Sequence, residues 1–172
     1  MSQTVVIARK LVTQPIQLNN DLLQMMETFR MMINHYIRIG LENECCTLKR
    51  LSQLAYRRLS EFDVLSSYKL NAISQACESL SLMKQSTKRG IKTKSPYVKK
   101  PYITNCYGFK INGILFTIPY KKGAPINILL NNYTTEILST PGITVRSFTI
   151  SSNNMLSISY SKDVNPIDCK KH

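Results

Sequence analysis

One predicted β-strand stands alone at the start of the chain, and this isolation constrains the fold more than any other sequence feature. The segment from Thr4 to Val12 is β-branched and apolar on both sides of Arg9 and Lys10, which predicts a strand that ends near Pro15. All other strand-like segments come after residue 100. Because a single strand cannot satisfy its own backbone hydrogen bonds, we expect it to pair with those late strands. The chain between them is then an insertion.

The insertion carries three segments with helical periodicity. Apolar residues recur every three or four positions from about Gln17 to Gly40, which predicts a long helix that stops at the glycine. Two more helices are predicted, over 48–62 and from Leu65 to just before Gly90. Their Met and Leu stripes are typical of a shared core and not of a cofactor site.

The second half of the chain has the pattern of β-hairpins. Asn112-Gly113 separates two apolar segments within 107–118, and Asn-Gly favours a hairpin with a type I′ turn. A strand over Ile126–Leu130, a short irregular or helical stretch at Thr134–Leu138, and a second hairpin over 143–160 are also predicted.

These segments predict an α+β fold, a small antiparallel β-barrel with a three-helix insertion between its first and second strands. We expect the barrel over 1–14 and 101–163, the helical insertion with a basic loop over 15–100, and a flexible tail over 164–172. A hydrophobic fraction of 43% in 172 residues is enough for a core without disulfides.

The charge of the chain indicates an anionic partner. Lys and Arg number 23 against 10 Asp and Glu, which gives a formal charge of +13. Nucleic acid is the commonest partner of so basic a protein, although a merely soluble basic protein or one that touches anionic membrane remains an alternative. No apolar run is long enough for a spanning helix, and the N-terminus does not resemble a secretory signal. Five cysteines without a disulfide spacing indicate reduced thiols, so we expect a cytoplasmic protein.

The strongest functional pattern is a basic stretch with interleaved tyrosines. Cations neutralise phosphates and aromatic faces stack on bases, so this combination suits single-stranded nucleic acid or structured RNA. The alternative is a solvated loop whose tyrosines pack against the barrel. The candidate binding residues here are Lys88, Arg89, Lys92, Lys94, Tyr97, Lys99, Lys100 and Tyr102, with Tyr107 beside them.

Further candidate cations lie on other elements. On the second helix Arg50 and Arg57 are two turns apart and share a face, whereas Arg9 and Lys10 point to opposite faces of the first strand. Salt bridges with Glu42, Glu44 or Glu61 are the ordinary alternative. The remaining candidates are Lys49, Arg58, Lys121 and Lys122.

Catalytic and metal-binding patterns are not found in the sequence. The acids are few and mostly on outward helix positions, and no Cys-x-x-Cys or glycine-rich phosphate loop is present. His35, next to the apolar face of the first helix, is better explained as a packed histidine than as a base. We expect no cofactor, no metal and no catalytic centre.

The order of elements resembles a known family. A basic strand followed by Pro15, a long helix, a helix that ends in the Lys-rich run Lys94–Pro101, and then β-hairpins is similar to the N-terminal half of TnpB. TnpB is the OrfB-type, RNA-guided DNA nuclease of bacterial and archaeal insertion sequences, related to compact type V CRISPR effectors. Pro96-Tyr-Val-Lys-Lys100 is similar to the family's Pro-x-Phe-Lys-Lys pattern, and the resemblance covers about residues 4 to 162.

The resemblance implies a division of roles. The barrel would correspond to the family's wedge domain and the helices to its recognition domain, which grip the guide RNA, the heteroduplex and a short target-adjacent motif. Lys94, Lys99 and Lys100 would form the basic loop beside the third helix. The family's nuclease half, with its three carboxylates and zinc ribbon, would start after about residue 165, so cleavage is not expected of this chain.

Two main functions are compatible with these patterns. The leading one is a nucleic-acid-binding module of a transposon-encoded protein that binds guide RNA and target DNA. The alternative is a regulatory or protein-interaction remnant that acts on a full-length transposase or nuclease. An independent hydrolase or tyrosine recombinase is disfavoured, because no histidine pair or carboxylate cluster is available to activate a nucleophile.

Overall fold

Over its described residues the protein is a mixed α+β fold with four α-helices and two antiparallel sheets. The computed structural model describes residues 6–121 and 123–164. The helices are α1 (Asn20–Glu42), α2 (Leu48–Ala55), α3 (Ser66–Lys88) and α4 (Asn132–Leu138), and a 3₁₀ helix, Tyr56–Glu61, follows α2. The strands are β1 (Val6–Pro15), β2 (Tyr102–Asn105), β3 (Lys110–Asn112), β4 (Leu115–Lys121), β5 (Ala124–Leu129), β6 (Ile143–Ser151) and β7 (Met155–Val164).

The isolated first strand pairs with a late strand, as predicted, and that strand is β7. In a four-stranded sheet of order β1-β7-β6-β2, β1 runs antiparallel to β7 from Val6↔Val164 to Pro15↔Met155. The α1–α3 segment therefore is an insertion between the first and second strands. Thr4 and Val5 of the predicted strand lie outside the described residues, and so does the predicted tail except Val164.

The predicted barrel is not confirmed, because the described strands form two separate sheets. β3, β4 and β5 make a three-stranded sheet that shares no strand-to-strand hydrogen bonds with the first one. Phe116 of β4 and Phe148 of β6 pack edge to face with ring centroids 5.5 Å apart, so the two sheets bury a common core.

A buried glutamine joins the two sheets where β5 meets β1. Gln14, 3% exposed, donates from Nε2 to Leu129 O at 3.0 Å and accepts at Oε1 from Asn131 N at 3.0 Å. A primary amide can imitate a strand backbone in this way, since it offers both a donor and an acceptor. A side chain thus replaces strand pairing at this junction.

Two helices, α1 and α2, end at residues other than the predicted ones. α1 continues two residues past Gly40, so this glycine does not end the helix. Gly40 lies instead where α1 crosses α3. A Cβ on Gly40 would overlap Leu80 Cδ1 and lie 2.9 Å from Cys45 O, so α1 and α3 approach closely here. The predicted second helix turns into the 3₁₀ helix after Ala55, so its α-helical periodicity does not extend to Phe62.

The β region was predicted in outline, with one strand missed and one turn wrong. β2 was not recognised, although Ile103 and Asn105 are fully buried. In the first hairpin Asn112 pairs with Leu115, so Gly113 and Ile114 are the central turn residues. Only Gly113 has a positive φ, 60°, which is the pattern of a type II′ turn and not type I′.

Candidate nucleic-acid interface

The basic segment, residues 84–100, begins on the last five residues of α3 and continues as irregular chain to β2. Its cations are all exposed: Lys84, Lys88, Arg89, Lys92, Lys94, Lys99 and Lys100. α3 ends because Gly90 follows it with a φ of 76°, a conformation that stops a helix without strain at glycine. The turn directs the rest of the segment back along α1.

Two hydrogen bonds from one asparagine hold the far end of the basic segment. Asn34 Nδ2 donates to Val98 O at 3.0 Å, and Val98 N donates to Asn34 Oδ1 at 2.8 Å. Both backbone groups of Val98 are thereby satisfied by α1. A segment without regular structure needs such partners to hold one conformation.

Arg30, one turn before Asn34, makes a second attachment. Its Nη1 donates to Tyr97 Oη at 3.1 Å and to Val98 O at 3.3 Å, and its guanidinium carbon lies 6.0 Å from the Tyr97 ring centroid. Arg30 also bonds Glu27, with Nε to Oε2 at 3.0 Å. The hydrogen bond from Arg30 lowers the pKa of the Glu27 carboxyl, and the same bond raises the pKa of Arg30. Glu27 thus orients an arginine that orients the segment.

The cations of the basic segment have no carboxylate partners in the part of the chain that the structure describes. One ion pair is found there, between Arg30 and Glu27, and His35 Nε2 lies 3.6 Å from Glu61 Oε2. The salt-bridge alternative with Glu42, Glu44 or Glu61, which concerned the cations outside the segment, is likewise not found for Lys49, Arg50 or Arg58 among the described residues. Clustered, exposed and unpaired cations favour a polyanionic partner.

The three tyrosines have different environments. Tyr97 is 63% exposed and held by Arg30, and Tyr107 is 62% exposed. Tyr102 is half-buried: its hydroxyl donates to Gln75 Oε1 at 2.9 Å and its ring packs edge-on against Phe29. Burial, and next the charge of Glu78, raises the pKa of Tyr102 to about 12. The packing alternative therefore fits Tyr102 best, whereas Tyr97 keeps an exposed ring; base stacking by either stays a prediction.

The candidates on the second helix are described only in part. Lys49 and Arg50 are exposed in the first turn of α2, and Arg58 is exposed on the 3₁₀ helix. The side chain of Arg57 lies outside the described part of the structure. Since the chain leaves α-helical geometry at Tyr56, the expectation that Arg50 and Arg57 share a face no longer follows.

The candidates on strands lie at two further places. Arg9 and Lys10 are exposed on β1, and strand alternation puts Lys10 on the side of buried Val12 and Arg9 on the opposite side. Arg9 pairs in register with Ser161, whose hydroxyl accepts from Arg146 Nε at 2.9 Å. Lys121 at the end of β4 has its Nζ 5.3 Å from the Tyr120 ring centroid. Lys122 lies outside the described residues.

Sequence reasoning missed the residues that position the basic segment. Arg30 and Asn34 are four apart on α1 and therefore share a face, yet they were not selected, because α1 was judged only by its apolar stripe. Arg146, also missed, sits where the β6–β7 register shifts between Val145 and Ser147. A polar i, i+4 pair beside an apolar stripe was the available signal.

The other candidate chemical groups are accounted for by packing. His35 is stacked edge-on against Phe62, with ring centroids 5.7 Å apart. Burial is the main cause that raises the pKa of the Cys77 thiol to about 11, and the nearby Cys45 and Cys46 add to the effect. Within residues 6–121 and 123–164, no group of three or more His, Cys, Asp or Glu side chains is placed to hold a metal ion. Of the helices described, none is both long and apolar enough to cross a membrane.

Comparison with known proteins adds no family assignment. No protein-family model matches the chain, and no curated protein matches it with significant similarity.

Proposed function

We propose that this chain is a nucleic-acid-binding module that grips the sugar-phosphate backbone of structured RNA, and of DNA paired with it, through the basic segment. The observation that carries this function is the set of seven exposed cations of the segment, which have no ion-pair partner among the described residues. Such cations gain free energy by releasing counterions from phosphates. We assign no reaction to the chain.

The attachment of the segment to α1 supports the same function. Asn34 and Arg30 hold Tyr97 and Val98, so Lys99 and Lys100 on one side and Lys92 and Lys94 on the other are presented from a fixed point. Binding then costs less conformational entropy than it would for a free loop.

The resemblance to TnpB suggests which domains and which partners are involved. We propose that the two sheets are a wedge-like barrel left open between β2 and β3 and between β5 and β1. We further propose that the α1–α3 insertion is recognition-like, and that the partners are a guide RNA and its target DNA in the cytoplasm. A full-length transposon nuclease would then supply the cleavage step. This proposal rests on the order of elements and on the Pro96–Lys100 stretch.

Binding to RNA across a salt series tests the proposal. Filter binding of the whole chain to a 20-nucleotide single-stranded RNA and to a hairpin RNA would be measured as a function of KCl. If all seven cations contact phosphates, log affinity falls with log salt with a slope of about −5, at about 0.7 per phosphate. The double variant Lys92→Ala/Lys94→Ala should flatten the slope by about 1.4.

Lys110→Ala is the matched control, since Lys110 is an exposed lysine on β3 outside the basic segment. A loss of affinity in the control that is half the loss in the double variant, one charge against two, would mean that only net charge matters. Binding without salt dependence would overturn the proposed function.

A protein-interaction role is the second candidate, and β1 is the observation that favours it. β1 is an edge strand of the four-stranded sheet, and its Leu11 is 63% exposed. Exposed edges accept additional strands from partner proteins. Recovery of a nuclease partner from RNase-treated extract by wild type, and not by Leu11→Lys, would support this function over RNA binding.

A further inference from the structure

An apolar cleft of about 530 Å³ opens between the C-terminal ends of α1 and α3, directly beside the start of the basic segment. Its apolar lining comes from Leu41, Leu80 and Met83, together with the half-buried Cys45 and Cys46 of the loop after α1. The volume lies in the range of small-molecule sites. None of these residues was selected from the sequence as part of a binding site.

The cleft is built by the close contact of the two helices. α1 meets α3 at Gly40 and Leu80, and α3 then continues for about two turns beyond Leu80, to Lys88. The loop after α1 is attached to α3 by a hydrogen bond from Ser81 Oγ to Cys46 O at 3.3 Å. The projecting turns of α3 and this loop form the two walls.

The mouth of the cleft is cationic. Lys84 and Lys88, four residues apart on α3, line it, and both are exposed without a carboxylate partner among the described residues. Their spacing corresponds to about 6 Å along the helix axis, comparable with the separation of the phosphates that flank one nucleotide. Glu44 is the one acid in the lining, and the negative helix ends add to it. With Arg89 next to Lys88, the cations still outnumber these negative groups.

We infer that this cleft receives one unpaired nucleobase of the bound RNA, with Lys84 and Lys88 on its flanking phosphates; the inference rests on the proposed function. An unstacked base has apolar faces and a charged backbone on either side, which matches an apolar floor under a cationic rim. Met83 would place a polarisable thioether against the aromatic face of the base. Sequence-specific RNA recognition commonly targets single-stranded bases that are splayed out of the stack.

Charge favours this occupant over a protein helix. A partner helix in an apolar groove needs a long apolar stripe, whereas this cleft is short and continues directly into the basic segment. A nucleic-acid strand that follows Lys88, Arg89 and Lys92 would pass the mouth of the cleft. An acidic amphipathic peptide is the competing occupant to be tested.

Thiol protection tests the inference on the whole chain. A 12-nucleotide single-stranded RNA that is bound by the protein should slow alkylation of Cys45 and Cys46 by N-ethylmaleimide at least threefold, as measured by peptide mass spectrometry. Cys106 is exposed at the end of β2, outside the cleft, and its alkylation rate should not change. A blunt-ended RNA duplex without unpaired bases should protect less.

Filling the cleft provides the second measurement. Thr87→Phe places a ring in the cleft from an exposed position, and we expect about tenfold weaker binding of the single strand. Leu82→Phe is the matched control, since Leu82 is 58% exposed on the same helix and does not line the cleft. Urea unfolding of both variants would establish that they fold.

The outcomes separate this inference from the proposed function. Salt-dependent RNA binding with unprotected Cys45 and Cys46, and with Thr87→Phe equal to Leu82→Phe, overturns the base site and leaves the module function standing. Protection by an acidic amphipathic peptide but not by RNA overturns the inference in favour of a protein groove. Absence of any RNA binding overturns both.

Discussion

Removal of the Asn34 side chain should release the basic segment from α1. Asn34→Ala deletes two hydrogen bonds to Val98, of 2.8 and 3.0 Å. Each contributes about 0.5–1.5 kcal/mol net, so the upper bound is about 3 kcal/mol. Arg30 still donates to Val98 O at 3.3 Å, and water can reach the half-buried groups, so we expect a loss of about 1–2 kcal/mol.

The assays for Asn34→Ala are urea unfolding and amide hydrogen exchange. The unfolding free energy should fall by the amount above, and the exchange of residues 92–101 should accelerate while that of α3 does not. RNA affinity should fall a few-fold, because the segment must then be ordered at the moment of binding.

Asn43→Ala is the matched control for Asn34→Ala. Asn43 Nδ2 donates to Ile39 O at 2.8 Å within the end of α1, so its loss costs a comparable hydrogen bond without touching the segment. Unchanged exchange of residues 92–101 in Asn34→Ala, or equal acceleration in both variants, would refute the claim that Asn34 positions the segment.

Three further perturbations test the fold around the interface. Gly40→Ala gains about 1 kcal/mol of helix propensity, but the new Cβ overlaps buried Leu80. We therefore expect the free energy of unfolding in urea to fall by about 1–3 kcal/mol. Unchanged or raised stability would contradict the close crossing. Gln14→Leu leaves Leu129 O and Asn131 N without their side-chain partner. The denaturation midpoint should fall by an amount equivalent to about 2–3 kcal/mol. An unchanged midpoint would mean that the amide does not join the sheets. Burial raises the pKa of both Tyr36 and Tyr102 from 10.0 to about 12, so the folded state holds these protons more tightly. Their contribution to stability is complete below pH 10 and is lost as the pH rises towards 12. Thermal melting at a series of alkaline pH values tests this, and the melting temperature should decline less in Tyr102→Phe than in wild type.

The fold was predictable in outline because its signals are local. The 3.6-residue period of α1 and α3, the hairpins of the second half and the pairing of β1 with a late strand follow from residue patterns and from the need of a lone strand for partners. β2 was missed because a four-residue strand between prolines and a turn carries little periodicity, and its two buried residues become visible only when β6 and α3 surround them.

The sequence by itself determined the charge, the clustering of cations over residues 84–100 and the insertion of three helices between two strands. Only the tertiary structure decided that Tyr102 packs while Tyr97 stays exposed, that Arg30 and Asn34 hold the basic segment, and that Gly40 crosses α3 instead of ending α1. The physical reason is the sequence separation of the interacting residues. Periodicity depends on neighbours in the chain, whereas these roles depend on contacts between residues far apart in sequence. Such contacts exist only after the two halves of the chain pack together.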